Sequence, residues 1–152
     1  MSIRKAVLSD LNIVREISEH TITKIYPHYY PKGAVDFFLA HHNEAHILDD
    51  IYLNRVFLCL DLVQNIVGTV TIKDNEICRL FVLPAYQRKG YGTELLDFAE
   101  TIIAEQYSQI VLDASLPAKK MYRRRGYVDT EFHSISVKYG DFLCYDVMEK
   151  QL

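Results

Sequence analysis

The chain has 152 residues, the size of one ordinary domain, so a multi-domain machine is not expected. Hydrophobic residues make up 49% and charged residues 24% of the chain, which excludes the composition of a disordered protein. The net charge of -3 argues against a general binder of nucleic acid or of anionic membranes. We therefore expect one α/β domain over residues 1–152, in which any basic site is local.

Cysteine spacing and hydropathy indicate the cellular compartment of the protein. Cys59, Cys78 and Cys144 each lie in an apolar run without the spacing of metal ligands, which predicts reduced thiols and no disulfide or metal site. The sequence contains neither a leader-like apolar segment nor 18 uninterrupted apolar residues. We expect a cytoplasmic protein with no membrane partner.

The first third of the chain predicts a strand and then helices. Residues 2–6 form the strand, and Ser9-Asp10 offers a side-chain acceptor to cap a helix that ends near Pro27. A second helix is predicted over 33–42, with a further turn or two over 43–51.

Aromatic residues are concentrated between the first two helices. Three tyrosines, a histidine and two prolines fall within residues 26–31. Such rings can enclose a cation, and they can equally pack in the core. The sequence leaves both interpretations open.

The middle of the chain predicts three antiparallel strands. Residues 55–61 contain a continuous apolar run between Arg55 and Asp61, and residues 66–73 alternate between two faces. A tight Asp74-Asn75 turn then leads into 76–83, so the three segments form a meander.

The last third alternates between helices and strands. Apolar residues at helical spacing follow a loop, and these are Leu95, Phe98, Ala99, Ile102 and Ile103. This helix separates strand 76–83 from a buried strand over 109–114, which predicts that the two are parallel neighbours. A short helix over 117–125 and strands around 127–132 and 142–149 close a mixed sheet.

The loop before the long helix contains Gly90 and Gly92. Glycines let successive backbone amides converge, and the helix amino end adds a partial positive charge, so the loop suits a pyrophosphate. The segment lacks the third glycine of a dinucleotide fingerprint and the Gly-Lys-Ser/Thr ending of a P-loop.

Residues 87–92, Gln-Arg-Lys-Gly-Tyr-Gly, follow Val82-Leu83-Pro84 and resemble the Q/R-x-x-G-x-G/A signature of the GNAT acetyltransferase superfamily. The resemblance implies a single-domain α/β fold, with a mixed, mostly antiparallel sheet of about seven strands and about four helices, splayed between strands 4 and 5. It also implies that the loop binds the pyrophosphate of coenzyme A through Gln87, Arg88, Lys89, Gly90, Tyr91, Gly92 and Thr93.

A second segment, residues 115–127, is similar to the superfamily pattern Asn-x-x-Ala-x-x-x-Tyr-x-x-x-Gly-Phe/Tyr. Ser115 stands where the pattern has Asn, so a hydroxyl replaces the amide expected to bind the pantetheine arm. The resemblance implies that Tyr122 protonates the departing thiolate, for which a phenol with a pKa near 10 is suited. Packing of Tyr122 beneath the sheet is the alternative.

The resemblance also assigns roles along strand 76–83. Glu76 matches the general base of the histone-acetyltransferase branch, and at about 13 Å along the strand from Leu80 it is expected to act through water. A solvated glutamate after the turn is the alternative. The amides of Leu80, Phe81 and Val82 are implied to bind pantetheine, with those of Phe81 and Val82 holding the oxyanion.

Seven cations flank the two motifs: Arg88, Lys89, Lys119, Lys120, Arg123, Arg124 and Arg125. They form a solvated face or attract the coenzyme phosphates, with Lys119 among the predicted coenzyme ligands. A nucleic-acid partner is not expected.

These observations predict an N-acetyltransferase that moves the acetyl group of acetyl-CoA to a primary amine by direct attack, without a metal. A small-molecule amine is the favoured acceptor. A protein α-amine or lysine acceptor and a non-catalytic acyl-CoA-binding module are the alternatives. A homodimer through the sheet edge is common in the superfamily and is possible here.

Overall fold

The computed structural model describes all 152 residues as seven strands and five α-helices. The strands are β1 (Ser2–Lys5), β2 (Val56–Leu60), β3 (Ile66–Lys73), β4 (Glu76–Val82), β5 (Gln109–Ala114), β6 (Val128–Ser136) and β7 (Phe142–Gln151). The helices are α1 (Leu11–Ile25), α2 (Lys32–His41), α3 (Glu44–Tyr52), α4 (Tyr91–Ala104) and α5 (Lys119–Arg124).

The strands form one sheet in the order β1-β2-β3-β4-β5-β7-β6. Every neighbouring pair is antiparallel except β4 and β5, which are parallel because α4 returns the chain between them. The predicted mixed sheet, meander and closing hairpin are confirmed, and β7 lies between β5 and β6.

The sheet splays between β4 and β5. These strands pair only at Glu76 with Val111 and at Ile77 with Leu112, and they diverge beyond that point. A β-bulge lies in β4 next to the Ile77–Leu112 pair. On the other side of β4, Thr71 and Ile72 of β3 are opposite Arg79 and Ile77, so Cys78 has no opposite residue on β3. The predicted splay is confirmed, and it leaves one side of the later half of β4 unpaired.

Helices cover both faces of the sheet. The stripe of α4 buries Leu95, Leu96, Ala99 and Ile103 against β3, β4 and β5. On the other face, α1 and α2 pack around Phe81, while α3 joins α1 over β2. None of the helices is both long and apolar enough to span a bilayer.

The start of α1 differs from the sequence prediction. Asp10 does not cap α1 with its side chain. Its carboxylate accepts from the Val7 amide at 2.8 Å and from the Arg4 guanidinium at 2.8 and 2.9 Å. The Asp10 carboxylate therefore binds the Arg4 guanidinium from β1 and the Val7 amide, and it does not cap α1. The capping pattern in the sequence did not reveal these contacts.

Candidate active site

The open seam between β4 and β5 presents backbone amides. The Leu83 amide donates to Val67 of β3 at 2.9 Å. Amide direction alternates along a strand, so the Phe81 amide also points toward β3. Consistent with this, the Phe81 carbonyl oxygen lies 3.0 Å from the position of a Cβ built on Gly68 of β3.

The amides of Leu80 and Val82 therefore face the seam, and the assignment of the oxyanion to the Phe81 amide is corrected. The Val82 carbonyl faces the seam as well, and it accepts from the Gln87 side-chain amide at 2.9 Å. The Phe81 side chain is buried in the aromatic cluster on the α1–α2 face. Strand 76–82 thus offers two amides, two residues apart, on its unpaired edge.

The loop before α4 carries six successive backbone N–H groups without a protein acceptor, from Arg88 to Thr93. The first helical bond runs from the Glu94 amide to the Gly90 carbonyl at 3.0 Å, so the preceding amides remain free. Arg88 and Gly90 have φ values of 61° and 93°, a turn that directs several amides into one concavity. Such a concavity fits a diphosphate.

The side chains of this loop separate into two groups. Gln87 is engaged with β4, so it positions the loop and its amide group is not free for a ligand. Lys89 lies over the Tyr86 ring, with its Nζ 5.4 Å from the ring centre. The Arg88 and Lys89 side chains form no ion pair and stand beside the free amides.

The second motif is tied to the connection between α1 and α2. The Leu116 amide donates to the Tyr30 hydroxyl at 2.7 Å, across the open end of the seam. Burial raises the pKa of Tyr26 to about 12, and the neighbouring Ser115 hydroxyl opposes this shift by hydrogen bonding. Both rings are buried and pack together, with centres 5.5 Å apart. These tyrosines are core residues and do not form a cation cage.

Tyr122 lies on α5 and is 6% exposed. Its ring meets that of Tyr127 edge to face at 5.5 Å, and burial raises the pKa of the phenol. Every fully buried side-chain nitrogen or oxygen has a hydrogen-bond partner. No partner is found for the Tyr122 hydroxyl, so that oxygen reaches accessible space. The residue is packed and still has a free proton donor.

Three of the seven cations are paired with carboxylates. Lys119 forms ion pairs with Asp146 and, at 3.7 Å, with Asp129. Arg123 pairs with Asp129 at 2.8 Å, and Arg125 pairs with Asp97 and Glu100. Lys120 and Arg124 have no carboxylate partner. Lys119 is therefore held toward β6 and β7 by carboxylates that lie far away in the sequence.

Glu76 begins β4 at the closed end of the seam, opposite Lys73 of β3. The side chain is half-buried, and burial raises the pKa of its carboxyl, assisted by the negative charge of Asp113. Burial likewise raises the pKa of Asp113. A carboxylate whose pKa is raised is a stronger base than an ordinary one and is suited to accept a proton.

A cavity of about 560 Å³ lies beside this part of β4, between the end of α2, α3 and the end of β3. Cys78 and Arg79 line its strand side, and burial raises the pKa of the Cys78 thiol to about 12. Sequence reasoning missed this cavity. The available signal was Arg79, a charged residue within the apolar run 77–83, which in the structure is 5% exposed. No three His, Cys, Asp or Glu side chains are arranged to hold a metal ion.

Comparison with known proteins identifies the family of the chain. The model of the acetyltransferase (GNAT) domain matches residues 25–150. No curated protein matches the chain.

Solved structures share the fold over their whole length. The GCN5-related N-acetyltransferase from Rhodopseudomonas palustris is 24% identical, with a TM-score of 0.89, covering 99% of this chain and 95% of that one. The PaiA N-acetyltransferase from Thermoplasma acidophilum, solved with coenzyme A, is 20% identical, with a TM-score of 0.74 and coverages of 99% and 98%. The YncA protein from Salmonella typhimurium, a putative acetyltransferase solved with acetyl-CoA, is 22% identical, with a TM-score of 0.69 and coverages of 100% and 94%.

Proposed function

Because the chain belongs to the GNAT acetyltransferases, we propose that it transfers the acetyl group of acetyl-CoA to the primary amine of a small molecule. The observation that carries the proposal is the run of six free backbone N–H groups beside the open edge of β4. Diphosphate binding at the first element directs the rest of a long, extended cosubstrate toward the second.

The residues of the chain fit coenzyme A. The amides of residues 88–93 would hold the diphosphate, and Arg88 and Lys89 add positive charge beside them. The edge amides of Leu80 and Val82 would hold the pantetheine arm and the thioester carbonyl. When bound, acetyl-CoA supplies an acetyl group activated as a thioester.

Two side chains are assigned to proton transfer. Glu76, directly or through water, would take a proton from the amine, since a typical ammonium with a pKa of about 10.4 is almost fully charged at pH 7. The Tyr122 hydroxyl, free of protein partners, would give its proton to the departing sulfur. The phenol lies on α5 and the carboxylate at the start of β4, so acid and base are separate groups.

Direct attack by the amine is favoured over an acyl-enzyme. Cys78 is the cysteine on β4, and its thiol has a pKa raised to about 12 by burial. A thiol protonated at physiological pH is a poor nucleophile. No other side chain on this part of β4 is suited to carry an acetyl group.

A small acceptor is favoured by the size of the cavity beside Cys78 and Arg79. About 560 Å³ accommodates a small molecule, and eight of the eleven lining residues are polar or charged. A protein acceptor would instead require a groove open over several residues.

A thiol-release screen over amine classes with acetyl-CoA tests the proposal, with the Tyr122→Phe variant as the control. Loss of the phenol proton is expected to lower kcat by about 10²- to 10⁴-fold, while coenzyme affinity measured by calorimetry is retained. Binding of acetyl-CoA without turnover of any amine would favour a binding module. Unchanged thiol release by the variant would remove Tyr122 as the acid.

A further inference from the structure

A buried polar network joins β4 to the helices that cover the cavity. The Arg79 Nε donates to the His42 Nδ1 at 3.2 Å, and its Nη1 donates to the Thr71 hydroxyl at 2.9 Å. Both Arg79 Nη atoms also reach an Asp50 carboxylate oxygen at 3.3 Å. Arg79 and Thr71 are buried and His42 is 8% exposed, so the network holds the histidine in one orientation.

The network also fixes the proton on His42. Arginine keeps its protons, so Nδ1 must act as an acceptor, and in the neutral ring the proton then lies on Nε2. Burial and the adjacent Arg79 charge lower the pKa of His42 to about 3, which keeps the ring neutral. His42 is thus an oriented N–H donor and has no free lone pair with which to act as a base.

The free edge of His42 opens into the cavity. Nε2 has no protein partner, and no fully buried side-chain nitrogen lacks one, so this atom is accessible. His42 lines the cavity, with its ring edge-on to Phe81 at 5.4 Å. An oriented donor without a partner requires an acceptor atom from a ligand or from water.

Positive charge accompanies this donor. Lys73 lines the same cavity and forms no ion pair, while Arg55 and Arg79 share the single carboxylate of Asp50. Asp49 is the other acid of the lining and is exposed. The ligand group that matches an N–H donor beside an unpaired ammonium is an anionic oxygen.

We infer that the cavity binds the carboxylate of the acceptor through His42 Nε2 and Lys73, so the acceptor is an amino acid or another small amine that carries a carboxylate. The inference rests on the proposed acetyl transfer. Lys73 and Glu76 are directly opposite each other on β3 and β4, so their side chains project from the same face of the sheet. One small molecule held in the cavity by its carboxylate can therefore present its amine on the face of the sheet from which Glu76 projects.

Matched acceptors test this inference. Each amino acid is compared with its carboxamide and with its decarboxylated amine by thiol release at saturating acetyl-CoA. We expect kcat/KM to fall by about 10- to 100-fold when the carboxylate is removed. Preference for the carboxylate-free amine would overturn the inference and leave acetyl transfer standing. Absence of turnover with every amine would overturn both.

Two substitutions of His42 distinguish the loss of its Nε2–H donor from the loss of its packing. His42→Asn keeps an oxygen toward Arg79 and loses the donor at the Nε2 position, and His42→Gln carries an amide to that position. The kcat/KM ratio of acid to decarboxylated amine should fall by about 10- to 100-fold in His42→Asn and recover in His42→Gln. His28→Asn, the same change at an exposed histidine, is the control.

Lys73→Gln provides an independent arm, because Lys73 is exposed and its replacement leaves the buried network intact. We expect the same loss of discrimination, seen mainly as a higher KM for the amino acid. Retention of the wild-type ratio in both His42→Asn and Lys73→Gln would overturn the assignment of the carboxylate site.

Discussion

The proposed role of Glu76 as the general base predicts how the rate should depend on pH. Its pKa is raised above the ordinary glutamate value by burial and by Asp113. The base acts only when deprotonated, so kcat/KM should increase with pH through that raised pKa and fall as pH drops below it. Glu76→Gln should lower kcat/KM by about 10²-fold or more and remove this limb of the profile.

Thiol-release rates measured from pH 5 to 8 test the assignment. Glu105→Gln, the same change at an exposed residue beyond the end of α4, should retain the wild-type profile. If Glu76→Gln leaves the pH profile untouched, another group must accept the proton.

Two glycines of the loop motif have different physical roles. Gly90 has a φ of 93°, where a Cβ is strained, whereas Gly92 lies within α4 and an added Cβ would be 3.7 Å from the Met121 sulfur. Gly90→Ala should lower the free energy of unfolding by about 1–2 kcal/mol. Gly92→Ala should raise it by about 0.5–1 kcal/mol through helix propensity. Urea denaturation without coenzyme measures the change in the free energy of unfolding for each variant. Equal changes would contradict the different roles assigned to the two glycines.

At the scale of elements, the connection between α1 and α2 stabilises the open end of the seam. Tyr30→Phe removes the only protein acceptor of the Leu116 amide, and loss of this part-buried hydrogen bond costs about 0.5–1.5 kcal/mol. Tyr29→Phe is the matched control, since that side chain is 51% exposed. We expect urea denaturation to show a loss of stability for Tyr30→Phe alone. Equal stability of the two variants would mean that water replaces the phenol.

Local patterns predicted the elements that local forces determine. The stripe of α4, the alternation of β3 and the Asp74-Asn75 turn each depend on residues close in sequence, and the structure has all three. The two motifs indicated the family and the splayed seam.

Contacts between segments that are far apart in the chain could not be predicted from the sequence. The direction of the Phe81 amide depends on the register of β4 with β3. The carboxylates that pair with Lys119 belong to Asp129 of β6 and Asp146 of β7. Arg79 meets His42 across 37 positions of the chain, so the proposed carboxylate site could not be predicted from spacing.

At the scale of the whole molecule, we expect bound coenzyme to stabilise the folded chain. β4 and β5 share only two register pairs, so the seam is held mainly by helices and loops around it. A ligand that bridges the α4 loop and the β4 edge binds the folded chain alone, and at 100 times its Kd it adds about 2.7 kcal/mol. For a domain of this size we expect acetyl-CoA to raise Tm by about 5–10 °C.

Gly90→Glu is the control, because a carboxylate at the centre of the free amides excludes a diphosphate by charge and by bulk. This variant should melt at the same temperature with and without acetyl-CoA in a thermal denaturation series. A full shift in Tm for the variant would mean that the coenzyme is held elsewhere, and the seam would then lose its proposed ligand.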